Sequence, residues 1–264
     1  MFEEAKNDVE AAPAGDEENL STAEALRAHD APQFREAIKS EVLGNLLSKT
    51  KTLRKISDLD LKGRSYVVID TTLKCKRKKK GNGQPDKHKA RAAARGDQYT
   101  RKVLGRGGVL PPSYSPTIAP LTFAFMLQLA TTKRLKCATM DITAAYLQVP
   151  IPESAEWIVT RLEPFVAKIC GLDPDQLYKI EKYLYGLPDS GRAFYFHYKS
   201  ALITEGYTMS DMDPCLFYRV NDVETTYIML FVDDTYIYSN DHRFSYSRQI
   251  LIFGKFVLIC PFLS

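Results

Sequence analysis

Two adjacent carboxylates, Asp233 and Asp234, interrupt the otherwise uncharged run LFVDDTYIY at residues 230–238. An acid pair is costly among apolar residues unless a cation sits beside it. A third acid, Asp141, closes an apolar run in CATMDITAAY (137–146), with no basic residue within four positions. Strand, Asp-Asp, strand reads as a tight hairpin whose tip presents acids. Neighbours on an extended backbone point to opposite sides, so the two aspartates take different roles unless a turn separates them. Three carboxylates converging from two strands would form an oxygen-rich site suited to Mg²⁺. Two such ions, about 3.5–4 Å apart, can clamp the attacking and leaving oxygens of an in-line phosphoryl displacement. That chemistry asks little more of side chains than positioning and charge stabilisation. The plain alternative is a solvated Asp-Asp turn. The apolar strands on which both acid segments lie weigh against it.

The elements that must hold these acids can be read from periodicity. Phe34, Ile38, Val42 and Leu46 recur every four residues, which predicts a helix. The stretch from Arg64 to Gly96 leads from β-branched residues into a basic strand, a Gly-Asn-Gly turn and a second basic strand, a hairpin. LTFAFMLQLATTKR (121–134) reads as a helix after a Pro-rich loop. LKCATMDITAAYLQVPIP (135–152) begins as an apolar strand and breaks at Pro150 and Pro152. A turn at Gly186–Gly191 precedes a helix that Ser190 would cap and Gly206 would stop. DPCLFYRV, TYIMLFV and TYIYS are strands, the first two joined by an NDVE turn. Helices mixed with mostly antiparallel strands give an α+β class.

Composition sets the outer bounds. The chain has 264 residues, 45% hydrophobic and 11% aromatic, enough for a sizeable core. The formal charge is only +4 but unevenly spread. Residues 1–30 hold nine Asp/Glu against two Lys/Arg, and residues 74–95 hold ten Lys/Arg against Asp86 alone. That asymmetry suggests a polyanionic partner. The five cysteines show no metal-ligand spacing and read as reduced thiols of an intracellular protein. The apolar end, ILIFGKFVLICPFLS, is short for a membrane span and is interrupted by Lys255, so no membrane partner is expected.

With these segments together, residues 34–240 resemble the reverse transcriptase domain of copia-type LTR retrotransposon polyproteins. FVDD (231–234) resembles that family's polymerase hairpin, and MDITAAYLQ (140–148) its first acidic motif, an Asp followed five residues later by an aromatic. KIEKYLYGLPDSGRAFYFHYKSAL (179–202) resembles the family's LYGLKQSPRAWY block. SDMDPCLFYR, KHKARAAARG and YSPTIAP resemble flanking segments, in order, over roughly 200 residues.

The resemblance implies an α+β right-hand polymerase fingers-and-palm domain at 31–240, behind a flexible acidic leader at 1–30. A tail at 241–264 matches nothing in the family, and the thumb and the end of the palm would be missing. It implies RNA-directed DNA polymerase activity with two Mg²⁺ ions (or Mn²⁺), a primed RNA or DNA template and dNTPs. Asp141, Asp233 and Asp234 fall on the catalytic metal-binding triad, with the Ile142 carbonyl as a further ligand. Tyr146 falls on the aromatic that packs under the sugar and rejects a 2′-hydroxyl. Lys89, Arg91 and Arg95 lie in the block that would meet the triphosphate. Arg192 and the turn at Pro188–Gly191 would line the nucleotide pocket. Lys76, Arg77, Lys78, Lys79 and Lys80 would neutralise template phosphates. Two departures stand out: Asp189 replaces the family's nucleotide-contacting Gln, and Gly191 replaces a Pro. The competing expectation is a non-catalytic relic that only binds nucleic acid. The resemblance implies an intracellular setting, in cytoplasmic virus-like particles or the nucleus. It leaves the oligomeric state open.

Overall fold

In the computed structural model, which describes residues 17–79, 85–240 and 258–259, the first described element is a strand. The first half runs β1 (Glu17–Ser21), α1 (Thr22–Arg27), α2 (Ala31–Lys39), a π-helical stretch (Ser40–Lys49), β2 (Leu53–Ile56) and α3 (Asp58–Leu61). The long strands β3 (Tyr66–Lys79) and β4 (Pro85–Ala94) follow, then α4 (Gly96–Gly105) and α5 (Pro120–Thr132). The second half runs β5 (Lys136–Ile142), a 3₁₀ turn (Ala145–Gln148), β6 (Trp157–Arg161), α6 (Pro164–Ile169), β7 (Leu177–Ile180) and α7 (Ser190–Thr204). It ends with β8 (Thr208–Met209), β9 (Leu216–Val220), β10 (Thr225–Phe231), β11 (Asp234–Ser239) and β12 (Leu258–Ile259).

These strands build two sheets. The first has the order β1-β3-β6-β7-β2, with β4 paired to β3. All its pairs are antiparallel except β3 with β6. The second, all antiparallel, has the order β12-β5-β11-β10-β9-β8. The expected α+β class holds.

The helix predicted from Phe34, Ile38, Val42 and Leu46 is present, and all four side chains are buried. Its second half widens to i→i+5 bonding, with the Thr50 amide donating to the Asn45 carbonyl at 2.9 Å. A strict four-residue repeat drifts about 40° per step around a 3.6-residue helix. The wider π turns remove that drift and keep Val42 and Leu46 on the core of the first sheet. A second core lies between α7 and the second sheet, built on Phe194, Tyr198, Phe217, Ile228 and Ile237.

Two local expectations change. Ser190 is the first residue of α7 rather than its cap, and its hydroxyl donates to the Leu184 carbonyl at 2.7 Å. Gly206, with φ +85°, ends the helix as expected. From Glu17 onward the acidic leader forms a strand: β1 pairs with the basic strand β3, Glu18 opposite Arg77. Residues 1–16 of that leader, and the tail apart from 258–259, lie outside the described residues.

Asp30 explains why this segment folds back. It is buried, and Arg77 donates to it from Nε at 2.7 Å and from Nη2 at 2.8 Å. His88 Nε2 lies 2.6 Å from the same carboxylate, and Arg77 also pairs with Glu18. The Arg77 guanidinium, with smaller help from His88, holds the Asp30 carboxyl well below the usual carboxylate range. Its contribution to stability is therefore complete above that range and lost as pH falls through and below it. Asp30→Ala leaves Arg77 and His88 facing a void beside Phe34, whose ring meets His88 edge-on at 4.7 Å. We expect a loss of about 3 kcal/mol, the low end for breaking a buried pair. Denaturant unfolding at neutral pH checks this, and the deficit should shrink in acid.

Candidate active site

The second sheet positions the three acids. Its β10–β11 pairing closes with Phe231 opposite Asp234, leaving only Val232 and Asp233 to turn the chain. Val232 takes φ +60°, a left-handed conformation that a β-branched residue rarely adopts. Such strain, about 1–3 kcal/mol, persists only where the surroundings over-determine the backbone. Here the Ile142 amide donates to the Asp233 carbonyl at 3.1 Å, fastening the turn to the end of β5.

On the next strand Asp141 sits directly opposite Asp234. Facing side chains in such a pair lie about 4.5–5.5 Å apart at Cβ, so two like charges meet here. Burial, and then the fields of Asp233 and Asp141, push the Asp234 carboxyl above its usual range. Among the described residues, no group of three or more His, Cys, Asp or Glu side chains stands ready to hold a metal ion. The donor set nonetheless fits Mg²⁺, which is commonly held by one or two carboxylates plus substrate phosphates.

The first sheet supplies the cations. Along β3 alternate residues are buried, so Lys74, Lys76 and Lys78 share the outward face. Opposite them on β4 stand Arg91, Lys89 and Lys87. Three cross-strand pairs of like charge, Lys74–Arg91, Lys76–Lys89 and Lys78–Lys87, are thus stacked on one face. All six residues line an open cavity of about 470 Å³, together with Glu41, Thr143, Ala144 and Tyr185. Partial burial, and next the neighbouring Lys78, Lys87 and Arg91, push the Lys89 ammonium down, while Asp141 opposes the shift. The cavity joins the basic hairpin to the residues that follow Asp141.

Alternation also divides the sequence-level set. Arg77 is removed from it: its side chain lies on the buried face and is committed to Asp30 and Glu18. Lys79 sits beyond a register shift, opposite Pro85, and does not line the cavity. Lys80 lies outside the described residues. Arg95, at the start of α4, forks onto Asp97 at 2.8 Å through Nε and Nη2 and is not in the lining either. Lys74 and Lys87 were missed, although the period-two pattern of a strand marks Lys74 with Lys76 and Lys78.

Tyr146 packs at 4.7 Å from Tyr185 and at 6.0 Å from Phe194, which stacks on Tyr198. Tyr198 in turn meets the Thr235 hydroxyl at 3.1 Å, one residue past Asp234. A Cβ built on Gly191 would come within 3.8 Å of the Tyr146 hydroxyl and 3.4 Å of Ser115. Arg192 lies over Phe196 at 4.6 Å and donates to the Tyr114 carbonyl at 3.3 Å. Asp189 caps the backbone of α7 at 2.9 Å through its carbonyl. Its carboxyl, pushed up by burial, accepts from the Tyr183 hydroxyl and is absent from the cavity lining. Asp141, Asp233, Asp234, Tyr146 and Arg192 are likewise absent from that lining.

A reverse transcriptase (RNA-dependent DNA polymerase) family model matches residues 63–250, which include the basic hairpin, Asp141 and the 233–234 turn. The chain belongs to this family. It is 25% identical over 217 residues to a retrovirus-related Pol polyprotein from transposon RE2 of Arabidopsis thaliana, covering 82% of the chain and 14% of that protein. It is 31% identical over 179 residues to the transposon Ty1-NL2 Gag-Pol polyprotein of Saccharomyces cerevisiae, covering 66% of the chain and 9% of that protein. The reverse transcriptase chain therefore spans a small fraction of these copia-type polyproteins. A foamy viral protease–reverse transcriptase solved with double-stranded DNA matches 83% of the chain and 28% of its own, at 13% identity and TM-score 0.39. The mixture of helices with these two sheets is consistent with the palm-and-fingers fold of a polymerase. No described helix is long and apolar enough to cross a membrane.

Proposed function

We propose that this domain catalyses nucleotidyl transfer, the 3′-hydroxyl of a primer attacking the α-phosphate of a dNTP on an RNA or DNA template. The observation that carries this reading is the register of Asp141 against Asp234, beside the strained turn bearing Asp233. A like-charge pair held in a backbone ladder has no structural benefit, and it suits a cation that arrives with substrate. Asp141, Asp233 and Asp234, with the Ile142 carbonyl, would hold two Mg²⁺ or Mn²⁺ ions, which when bound offset the negative charge on the reacting phosphate. The protein's own part is positioning. Arg91 and Lys89 face the cavity from the fingers and would receive the triphosphate, and Tyr146 would lie under the sugar and exclude a 2′-hydroxyl. Lys74, Lys76, Lys78 and Lys87 would track template phosphates through counterion release.

Primer extension on oligo(dT)·poly(rA), with Mg²⁺ or Mn²⁺, tests the reading. The expected result is metal-dependent nucleotide addition that disappears in Asp233→Asn, together with nucleic-acid binding that weakens steeply with salt. If four phosphates are contacted on a single strand, the log–log salt slope is about −3. Salt-sensitive binding without addition under either metal would return the domain to a non-catalytic binder. Absence of binding at low salt would remove the role of the lysine face.

A further inference from the structure

We propose that Tyr185 is a positioning residue for the nucleotide site, its ring face holding the Arg91 guanidinium in place for a triphosphate; this rests on the reading above. The Arg91 Cζ lies 4.5 Å from the Tyr185 ring centroid. Directly across the hairpin stands Lys74, with Lys89 two residues away on the same face, so Arg91 occupies a strongly cationic surface. Left alone, a guanidinium there would swing into solvent, away from its like-charged neighbours. The electron-rich ring face supplies a local attraction that opposes this.

Two further contacts fix the ring. It packs against Tyr146, and both tyrosines feel the charge of Asp233. Burial pushes the Tyr185 hydroxyl up to about 12, so it stays neutral and the ring keeps its un-ionised form at working pH. Behind the ring, its carbonyl accepts from the Ala94 amide at 2.6 Å, on the strand that carries Arg91. Tyr185 thus touches the hairpin cation Arg91, the sugar-site tyrosine and the cavity together. It acts through Arg91 and not on the reacting atoms.

The test is binding of inorganic tripolyphosphate to the full chain at low salt, by titration calorimetry. Tyr185→Phe keeps the ring face and should bind like the unmodified chain. Tyr185→Leu keeps apolar bulk against Tyr146 but removes the face, and should weaken binding about fivefold. In an Arg91→Ala background, which is itself weakened, Tyr185→Leu should cost nothing more. Equal losses in both backgrounds would mark a merely structural tyrosine and overturn the inference. So would unchanged binding in Tyr185→Leu, or in Arg91→Ala alone. If Tyr185→Leu melts below the assay temperature, the Phe variant decides, since a weakening there removes the ring-face argument. Failure of the unmodified chain to bind tripolyphosphate would overturn the nucleotide reading itself, and the assignment of Tyr185 with it.

Discussion

Asp234→Asn should fold slightly more stably than the unmodified chain and lose nucleotidyl transfer. Asp234 faces Asp141 across the strand pair and follows Asp233, and its carboxyl is pushed up by burial first and by those two acids next. A carboxyl whose folded pKa is raised binds its proton more tightly folded than unfolded. Stability therefore falls as pH climbs from the ordinary carboxylate range through the raised value. Above it the ionised group keeps that cost. Asparagine removes it. The side chain is exposed, so solvent screening limits the gain to a few tenths of a kcal/mol. The effect on chemistry runs the other way and is far larger. On the proposed function Asp234 would be a charged metal ligand, and its loss would remove several kcal/mol of charge stabilisation, about three orders of magnitude in rate. Thermal unfolding from pH 4 to 8, alongside primer extension, checks both halves. An Asn variant that is markedly less stable, or that still extends primer at the unmodified rate, would sink the assignment. The same exchange of stability for a strained, charged site is common where function requires it.

The second large effect lies away from the acids. Gly186→Ala should destabilise the domain by about 3 kcal/mol or more and disconnect β4 from the turn before α7. Gly186 has φ +91°, and a Cβ there would stand 2.2 Å from the Ala94 carbonyl oxygen. The reciprocal position is equally tight: a Cβ on Gly96 would stand 2.0 Å from the Gly186 carbonyl oxygen. Both obstacles are backbone, so no side chain can yield. Relief requires β4 to separate from the turn, breaking the bond between the Ala94 amide and the Tyr185 carbonyl. The left-handed conformation alone costs about 1–2 kcal/mol for a residue with a side chain. A lost buried backbone bond and repacking add the rest. The midpoint of denaturant unfolding measures this. A shift below 1 kcal/mol would show that the two segments are not clamped. Tripolyphosphate binding should also weaken in Gly186→Ala, because Arg91 and Tyr185 sit on the two sides of the clamp.

Much of the architecture was legible as local periodicity. Phe34, Ile38, Val42 and Leu46 announce a buried helical stripe without any tertiary knowledge, and the strands around Asp233 and Asp234 read directly from their apolar flanks. Turn chemistry was less reliable. Ser190 has the right chemistry for a cap, but its hydroxyl goes to Leu184, a residue on the preceding turn that packing brings close.

What the sequence determined by itself is the chemistry on offer: three aspartates in apolar strands, a dense basic hairpin, and motifs in the order of a reverse transcriptase. These are carried by residue type and short-range spacing. Only the tertiary structure decided which charges face the site. The run Lys76–Lys79 looks uniform as a string, yet one strand sends Lys76 and Lys78 to the cavity and Arg77 to the interior. There it meets Asp30, 47 residues earlier in the chain. Tyr185 lies in the LYGL motif, but nothing in that segment shows its contacts, because its partners Arg91, Ala94 and Tyr146 arrive from other elements. The acid pair itself depends on register, since a slip of one residue would turn Asp141 to the opposite face from Asp234. Pairing between distant strands is set by the burial of whole faces, which no local window of sequence contains.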